Sequence, residues 1–217
     1  MSYFTKDFIK FFSELEVSNN REWFAENKDR FKSVVEEPFL KFIDAIIDLL
    51  KKQDKKYKAT AKDCVFRIYR DIRFSKDKTP YKIRMSALLT PGGRKDIKNP
   101  GLYLELGADD IKIYSGLYEP DKIQLDKIRT KISKNTEAFK KLRTDKNFIK
   151  RYKEILGDKS KRLDPKFAKA AAIEPIIFHK QFYFVTSQKA TTALKPGIEK
   201  WVLDCYKDAK EMNEFLK

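Results

Sequence analysis

The sequence predicts an α+β protein in which an antiparallel β-sheet of about five strands packs with N-terminal, middle and C-terminal helices. Three observations point there. Apolar residues recur at three- and four-residue spacing over residues 4–50 and again over 198–212. They alternate at period two in the stretches between residues 65 and 115. Turn residues, Pro91-Gly92-Gly93 and Asn99-Pro100-Gly101, punctuate that middle region. With 217 residues, 41% of them hydrophobic and including 17 Phe, 10 Tyr and 2 Trp, the chain can bury an aromatic core despite a charged fraction of 37%. It reads as one domain spanning 1–217.

Each element follows from local pattern. Phe4, Phe8, Phe11, Phe12 and Leu15 form the stripe of a first helix. Asn19, followed three residues later by Glu22, is a cap pair for a second helix, along which Trp23, Phe24, Phe31, Val34 and Val35 recur. Pro38 either kinks that helix or starts a new one carrying Phe39, Phe42, Ile43, Ile46, Ile47 and Leu50. A polar connection, Lys51 to Lys62, leads to an extended stretch with Phe66, Ile68, Ile72 and Phe74 on one side. Tyr81 to Leu89, Leu102 to Leu106 and Ile111 to Ser115 are further strands, completing a four-stranded meander. Helices marked by Leu125, Ile128, Ile132, Phe139, Phe148 and Tyr152 follow and end near Gly157. Residues 158–180 carry no clear period. Gln181 to Ser187 is a fifth strand, and Pro196 opens a last helix with Ile198, Trp201, Val202, Cys205 and Met212 on its apolar side.

The net charge of +16 is concentrated, with +7 over residues 61–100 and +10 over residues 121–170. Such an excess draws polyanions, so an anionic small molecule or nucleic acid is the expected partner, against the plainer reading of a solubilising lysine-rich surface. Cys64 and Cys205 make neither a disulfide framework nor a zinc spacing, and no apolar run is long enough to span a membrane. A soluble cytoplasmic protein, with no membrane partner, is expected. With 7 glycines the chain has neither of the familiar glycine-rich phosphate cradles, and it specifies no cofactor and no metal site. His179, the only histidine, lies beside Ile176, Ile177 and Phe178 and reads as structural.

Functional residue types are densest in Val65 to Lys82, VFRIYRDIRFSKDKTPYK. Arginine offers two-pronged donors to phosphate or carboxylate, lysine a point charge, and Tyr69, Phe74 and Tyr81 stacking planes. Alternation turns Arg70 toward the apolar side, where a guanidinium needs an internal acid or an anionic ligand. The leading expectation is a site in which Arg67, Arg70, Arg73, Lys78 and Lys82 contact an anion. Asn20, Arg21 and Glu22 would join it from the second helix, and Asp71, Asp77 and Tyr81 are the candidates for orienting the ligand or for catalysis. Three alternatives stand beside it: non-catalytic nucleic-acid binding through zones 61–100 and 121–170, magnesium-assisted phosphoester hydrolysis using Asp71, Asp77 and Glu22 or Glu105, and a purely structural ion-pair lattice.

Asn19-Asn20-x-Glu22-Trp23-Phe24, then Asn27-Lys28, and then Phe66-Arg67-x-Tyr69-Arg70-Asp71-x-Arg73-Phe74-Ser75-x-Asp77-Lys78-x-Pro80-Tyr81-Lys82 resemble the signature of a conserved-hypothetical family catalogued as domain of unknown function 2461. Arg21, Gly116-x-Tyr118-x-Pro120 and Ile128-Arg129 extend the resemblance over most of the chain. It implies a single domain of nearly full length, a cytosolic location and a site built from the two motifs together. The chain departs from the family pattern at Pro165-Lys166-Phe167 and Ile173-Glu174-Pro175, where members commonly carry Pro-Lys-Gly followed by an aromatic, and then an Asp-His-Pro-like stretch. A mechanism dependent on that histidine is therefore not expected here.

Overall fold

The computed structural model describes residues 2–217 and has the expected α+β fold. Its antiparallel sheet contains four strands in the order β1-β2-β3-β4. Helix α1 (Lys6–Val17) buries Phe8, Phe11, Phe12 and Leu15, the stripe its spacing predicts. Helices α2 (Arg21–Glu26) and α3 (Lys28–Arg30) lead into a wide π-type segment, Phe31–Glu36, and then α4 (Glu37–Gln53). Pro38 lies in the first turn of α4, the second of the two expected alternatives, and the helical path runs into it without a break. It has no N–H, and its ring would strike the carbonyl four residues back, so widening the turn before it lets the helical path continue. Six residues of α4, Phe39, Phe42, Ile43, Ile46, Ile47 and Leu50, are buried.

The connection expected to run to Lys62 ends earlier, at a one-turn helix α5 (Ala61–Cys64) closed by a Thr60/Asp63 capping box. Strands β1 (Arg84–Leu89), β2 (Gly101–Gly107) and β3 (Asp110–Leu117) follow. Leu102, Leu104, Leu106, Ile111 and Ile113 are wholly buried at alternate positions, as period two requires. Helices α6 (Lys122–Lys134), α7 (Thr136–Arg143) and α8 (Lys146–Tyr152) come next, the last ending at Tyr152 rather than near Gly157. Residues 158–180 resolve into two short 3-10 turns around α9 (Ala168–Ile173). Strand β4 (Phe182–Lys189) and helix α10 (Ile198–Leu216) complete the chain.

The chain divides into two compact units. The first comprises Met1–Asp96, Tyr103–Ile113 and Ser187–Leu203. Its core is aromatic: Phe4 meets Phe8 and Phe42 edge to face, and Phe8 meets Phe12 in the same way. The second comprises Ile97–Leu102, Tyr114–Thr186 and Asp204–Lys217. Here Phe148 and Tyr152 pack edge-on to Phe184, and the Tyr152 hydroxyl donates to the Cys205 carbonyl at 2.6 Å. In that unit Arg129 donates to the carbonyls of Ile177, Phe178 and His179 and to Ser160 Oγ, tying down the segment whose sequence shows no period.

One expected strand is absent as such. The stretch from Val65 is held to its partner only by isolated bridges, Val65 with Ala87 and Tyr69 with Tyr81. The two bridges differ in register by two residues, so no continuous ladder forms. Beyond Arg70, whose N–H donates to the Pro80 carbonyl, residues 71–80 form a loop, and the predicted alternation ends there: Phe74 is 95% exposed. Pro80 cannot donate to a ladder, and the Asp77 side chain takes the Thr79 N–H instead.

Gly116, in β3, has φ +92°, and a Cβ there would lie 2.2 Å from the Phe182 carbonyl oxygen. Gly116→Ala is therefore expected to destabilise the protein by about 2 kcal/mol or more, read as a lowered urea midpoint.

Candidate functional site

The two dense motifs meet in the first unit, and the side chains of Asn19 and Phe24 join them. The Asn19 amide donates to the Tyr81 carbonyl at 3.0 Å and accepts the Tyr81 N–H at 3.1 Å. A primary amide carries one donor edge and one acceptor edge, so it pairs with a peptide as a neighbouring strand would. The expected cap pairing of Asn19 with Glu22 is thus replaced: Asn20 is the cap of α2, accepting the Trp23 N–H at 2.8 Å. Phe24, on that helix, stacks on the Tyr81 ring with centroids 4.0 Å apart at 14°, and Tyr69 lies 5.3 Å from Tyr81 on the other strand.

In the loop that follows, the charges largely satisfy one another. Arg70 donates to both Asp77 and the Thr79 hydroxyl, and Asp77 also accepts the Thr79 N–H at 2.9 Å. Arg73 grips Asp71 with two bonds, 3.0 and 2.7 Å, and Lys78 Nζ donates to the Ile72 carbonyl. Arg70 is half-buried through this loop pairing, not through strand alternation. The Arg73 hydrogen bond holds the Asp71 carboxyl down at about 2, and the Arg70 hydrogen bond does the same for Asp77. Both acids stay ionised at neutral pH, where a carboxylate that reluctant to take a proton is a weak base. Burial pushes the Tyr81 phenol above its ordinary value, with Tyr69 adding to the effect; Arg21 pulls it down and Glu22 pushes it up. Arg21 and Glu22 are themselves exposed on the first turn of α2.

Of the six cations of the stretch, Arg67, Lys82 and the exposed Lys76 remain outside this pairing. Lys82 is half-buried, with Nζ 5.3 Å from the Phe66 ring centroid, and neither its ammonium nor the exposed Arg67 guanidinium has an ion pair or hydrogen bond among the described residues, although the Lys82 backbone N–H donates to the Ile68 carbonyl at 2.8 Å. Burial holds the Lys82 ammonium below the ordinary lysine value, Arg67 lowers it further, and Glu105 pulls the other way. Glu105 is already engaged: it takes Arg84 at 3.0 Å and the Tyr103 hydroxyl at 3.1 Å. Tyr103 packs edge-on to Phe66 with centroids 5.9 Å apart. The surface thus holds two cations, Arg67 and Lys82, beside two aromatic rings, Phe66 and Tyr103. Phe66 and Tyr103 escape selection by residue type, although period two in β2 places Tyr103 on the same side as Glu105.

The acids of the hydrolase alternative are not gathered. Asp71, Asp77 and Glu105 each serve a different arginine, and no cluster of three His, Cys, Asp or Glu suited to a metal ion occurs among the described residues. His179 and Glu174 are both buried in the second unit, where Arg143 Nε donates to Glu174 at 2.6 Å. A cavity of about 150 Å³ in that unit, lined by Leu142, Phe148, Asp208 and Met212 among others, includes none of the motif residues. No helix is long and apolar enough to cross a membrane among the described residues.

A family model described as "Conserved hypothetical protein (DUF2461)" matches residues 7–215. No curated protein matches the chain.

The Asn19 clamp and the loop pairs are separately testable. Asn19→Ala leaves the Tyr81 N–H and carbonyl without their partner and is expected to cost about 1–3 kcal/mol, measured by urea unfolding. Both aspartates titrate at about 2 when folded, against an ordinary 3.8, so their stabilisation is present above about pH 4 and lost as the pH falls toward 2. Carboxyl-carbon NMR should show Arg73→Ala raising the Asp71 midpoint while leaving Asp77 at about 2, and Arg70→Ala the reverse.

Proposed function

Because this chain belongs to the conserved hypothetical protein family whose model spans residues 7–215, and that description carries no activity, we propose from the site alone that it binds an anionic ligand bearing phosphate or carboxylate. Arg67 and Lys82 are the contacting cations. The observation that carries this reading is Lys82: a half-buried ammonium, lowered in basicity by burial and by Arg67, with no acid paired to it. Desolvating a charge without a partner costs stability, and an anion placed between the two cations offsets that cost. Arg70, Arg73 and Lys78 shape the loop, since an external anion would have to displace their own partners. With Asp71 and Asp77 held ionised and no acid cluster assembled, the reading is of a binding site rather than a hydrolytic one.

Inorganic pyrophosphate is a suitable probe. At about 100 times its Kd it should stabilise the protein by about 2.7 kcal/mol, seen as a raised Tm. Lys82→Met and Arg67→Ala should each remove most of that shift, whereas Arg73→Ala should leave it in place. Binding should also draw protons as the pH rises into the range where Lys82 titrates, because an adjacent anion raises its pKa. Equal stabilisation of the wild type and Lys82→Met overturns the assignment.

A further inference from the structure

We infer that the ligand of this surface is a single-stranded nucleic acid, its phosphates taken by Arg67 and Lys82 and its bases stacked on Tyr69 and Phe74. The inference rests on the anion-binding reading above and adds what the polymer is. Two of the largest exposed apolar side chains of the first unit lie in this one segment: Phe74, 95% exposed, and Tyr69, 49% exposed. Scattered surface hydrophobes need no explanation. These two differ because Tyr69 is backed by packed rings and Phe74 carries a guanidinium against its face.

Tyr69 is backed by Tyr81, 5.3 Å away, which in turn stacks on Phe24 at 4.0 Å; its backbone is fixed by the bridge to Tyr81. Phe74 has the Arg73 guanidinium 5.8 Å from its centroid, and Arg73 is itself gripped by Asp71. Preorganised rings lose little freedom when a base stacks on them. The Lys82 N–H donates to the Ile68 carbonyl, between Arg67 and Tyr69, so the phosphate-binding pair flanks Tyr69 on the paired part of the stretch, which runs on into the loop that carries Phe74. Lys76 adds an exposed charge between them in sequence. Flat rings set along a run of cations are what an unpaired strand uses, since every base has a stacking face whatever its identity. A duplex buries those faces. A bilayer fits less well, because insertion of Phe74 would carry the ionised Asp71 and Asp77 toward an anionic surface.

Fluorescence anisotropy with a labelled oligothymidylate tests the inference, using the full-length chain, pyrophosphate and vesicles containing phosphatidylserine as companions. Phe74→Ala, at an exposed loop position, should weaken oligothymidylate binding on the order of 10- to 100-fold, with Phe74→Trp restoring it. Both variants should bind pyrophosphate as the wild type does. Lys82→Met should weaken both ligands and reduce the slope of log K against log salt by about 0.7. Pyrophosphate binding with oligothymidylate binding indifferent to Phe74→Ala overturns the nucleic-acid inference and keeps the anion site. Loss of neither ligand in Lys82→Met, or no binding of either by the wild type, overturns the anion site itself. Duplex bound as tightly as single strand, or vesicles bound through Phe74 while oligothymidylate is not, also overturns the inference.

Discussion

The Asn19 amide, paired on both edges with the Tyr81 peptide, sets the geometry on which the candidate site depends. Tyr81 is held twice, through its backbone by Asn19 and through its ring by Phe24 at 4.0 Å. Its cross-strand partner is Tyr69, so the clamp also determines where strand-like pairing stops. Pro80 has no N–H to continue the ladder in one direction, and the register shift between the two isolated bridges interrupts it in the other. What leaves the sheet at that point is a ten-residue loop spanning 71–80, supported by its own side chains.

That loop sorts the motif's charges. Asp77 and Asp71 each occupy one arginine and a local N–H, which closes the turns of the loop and leaves Arg70 and Arg73 already paired. Exposed ion pairs of this kind contribute little to global stability, but they decide which donors are already used. Arg67 and Lys82 lie on the paired part of the stretch, where Glu105 is taken by Arg84 and Tyr103. The ion-pair lattice thus holds for Arg70 and Arg73, while the proposed anion site rests on Arg67 and Lys82 of the same segment.

Much of the fold is legible in the chain because its signals are local. The stripe of Phe8, Phe11, Phe12 and Leu15 makes α1, and the alternation of Leu102, Leu104 and Leu106 makes β2. The failures come where a signal is short or where two rules compete. Alternation over Phe66 to Phe74 predicts a strand, yet proline and an Asx turn prevail over it after Arg70. Adjacent Asn19 and Asn20 are equal candidates for a helix cap, and only the position of Tyr81 assigns Asn20 to α2 and Asn19 to the peptide across from it. Residues 158–180 form turns too brief to show a period, tied down by Arg129 from a distant part of the sequence.

The sequence by itself determined most of the element types, the basic character and the two motifs, because these depend on neighbouring residues, on composition and on motif patterns spelled out along the chain. Tertiary structure decided which of the six cations of Val65–Lys82 are neutralised, Arg70 and Arg73, since charge pairing depends on distance in space. Sequence spacing made Arg70 the residue most in need of a partner. The fold supplies that partner in Asp77 and leaves Lys82, one of five candidate contacts in the sequence, half-buried with no acid paired to its ammonium.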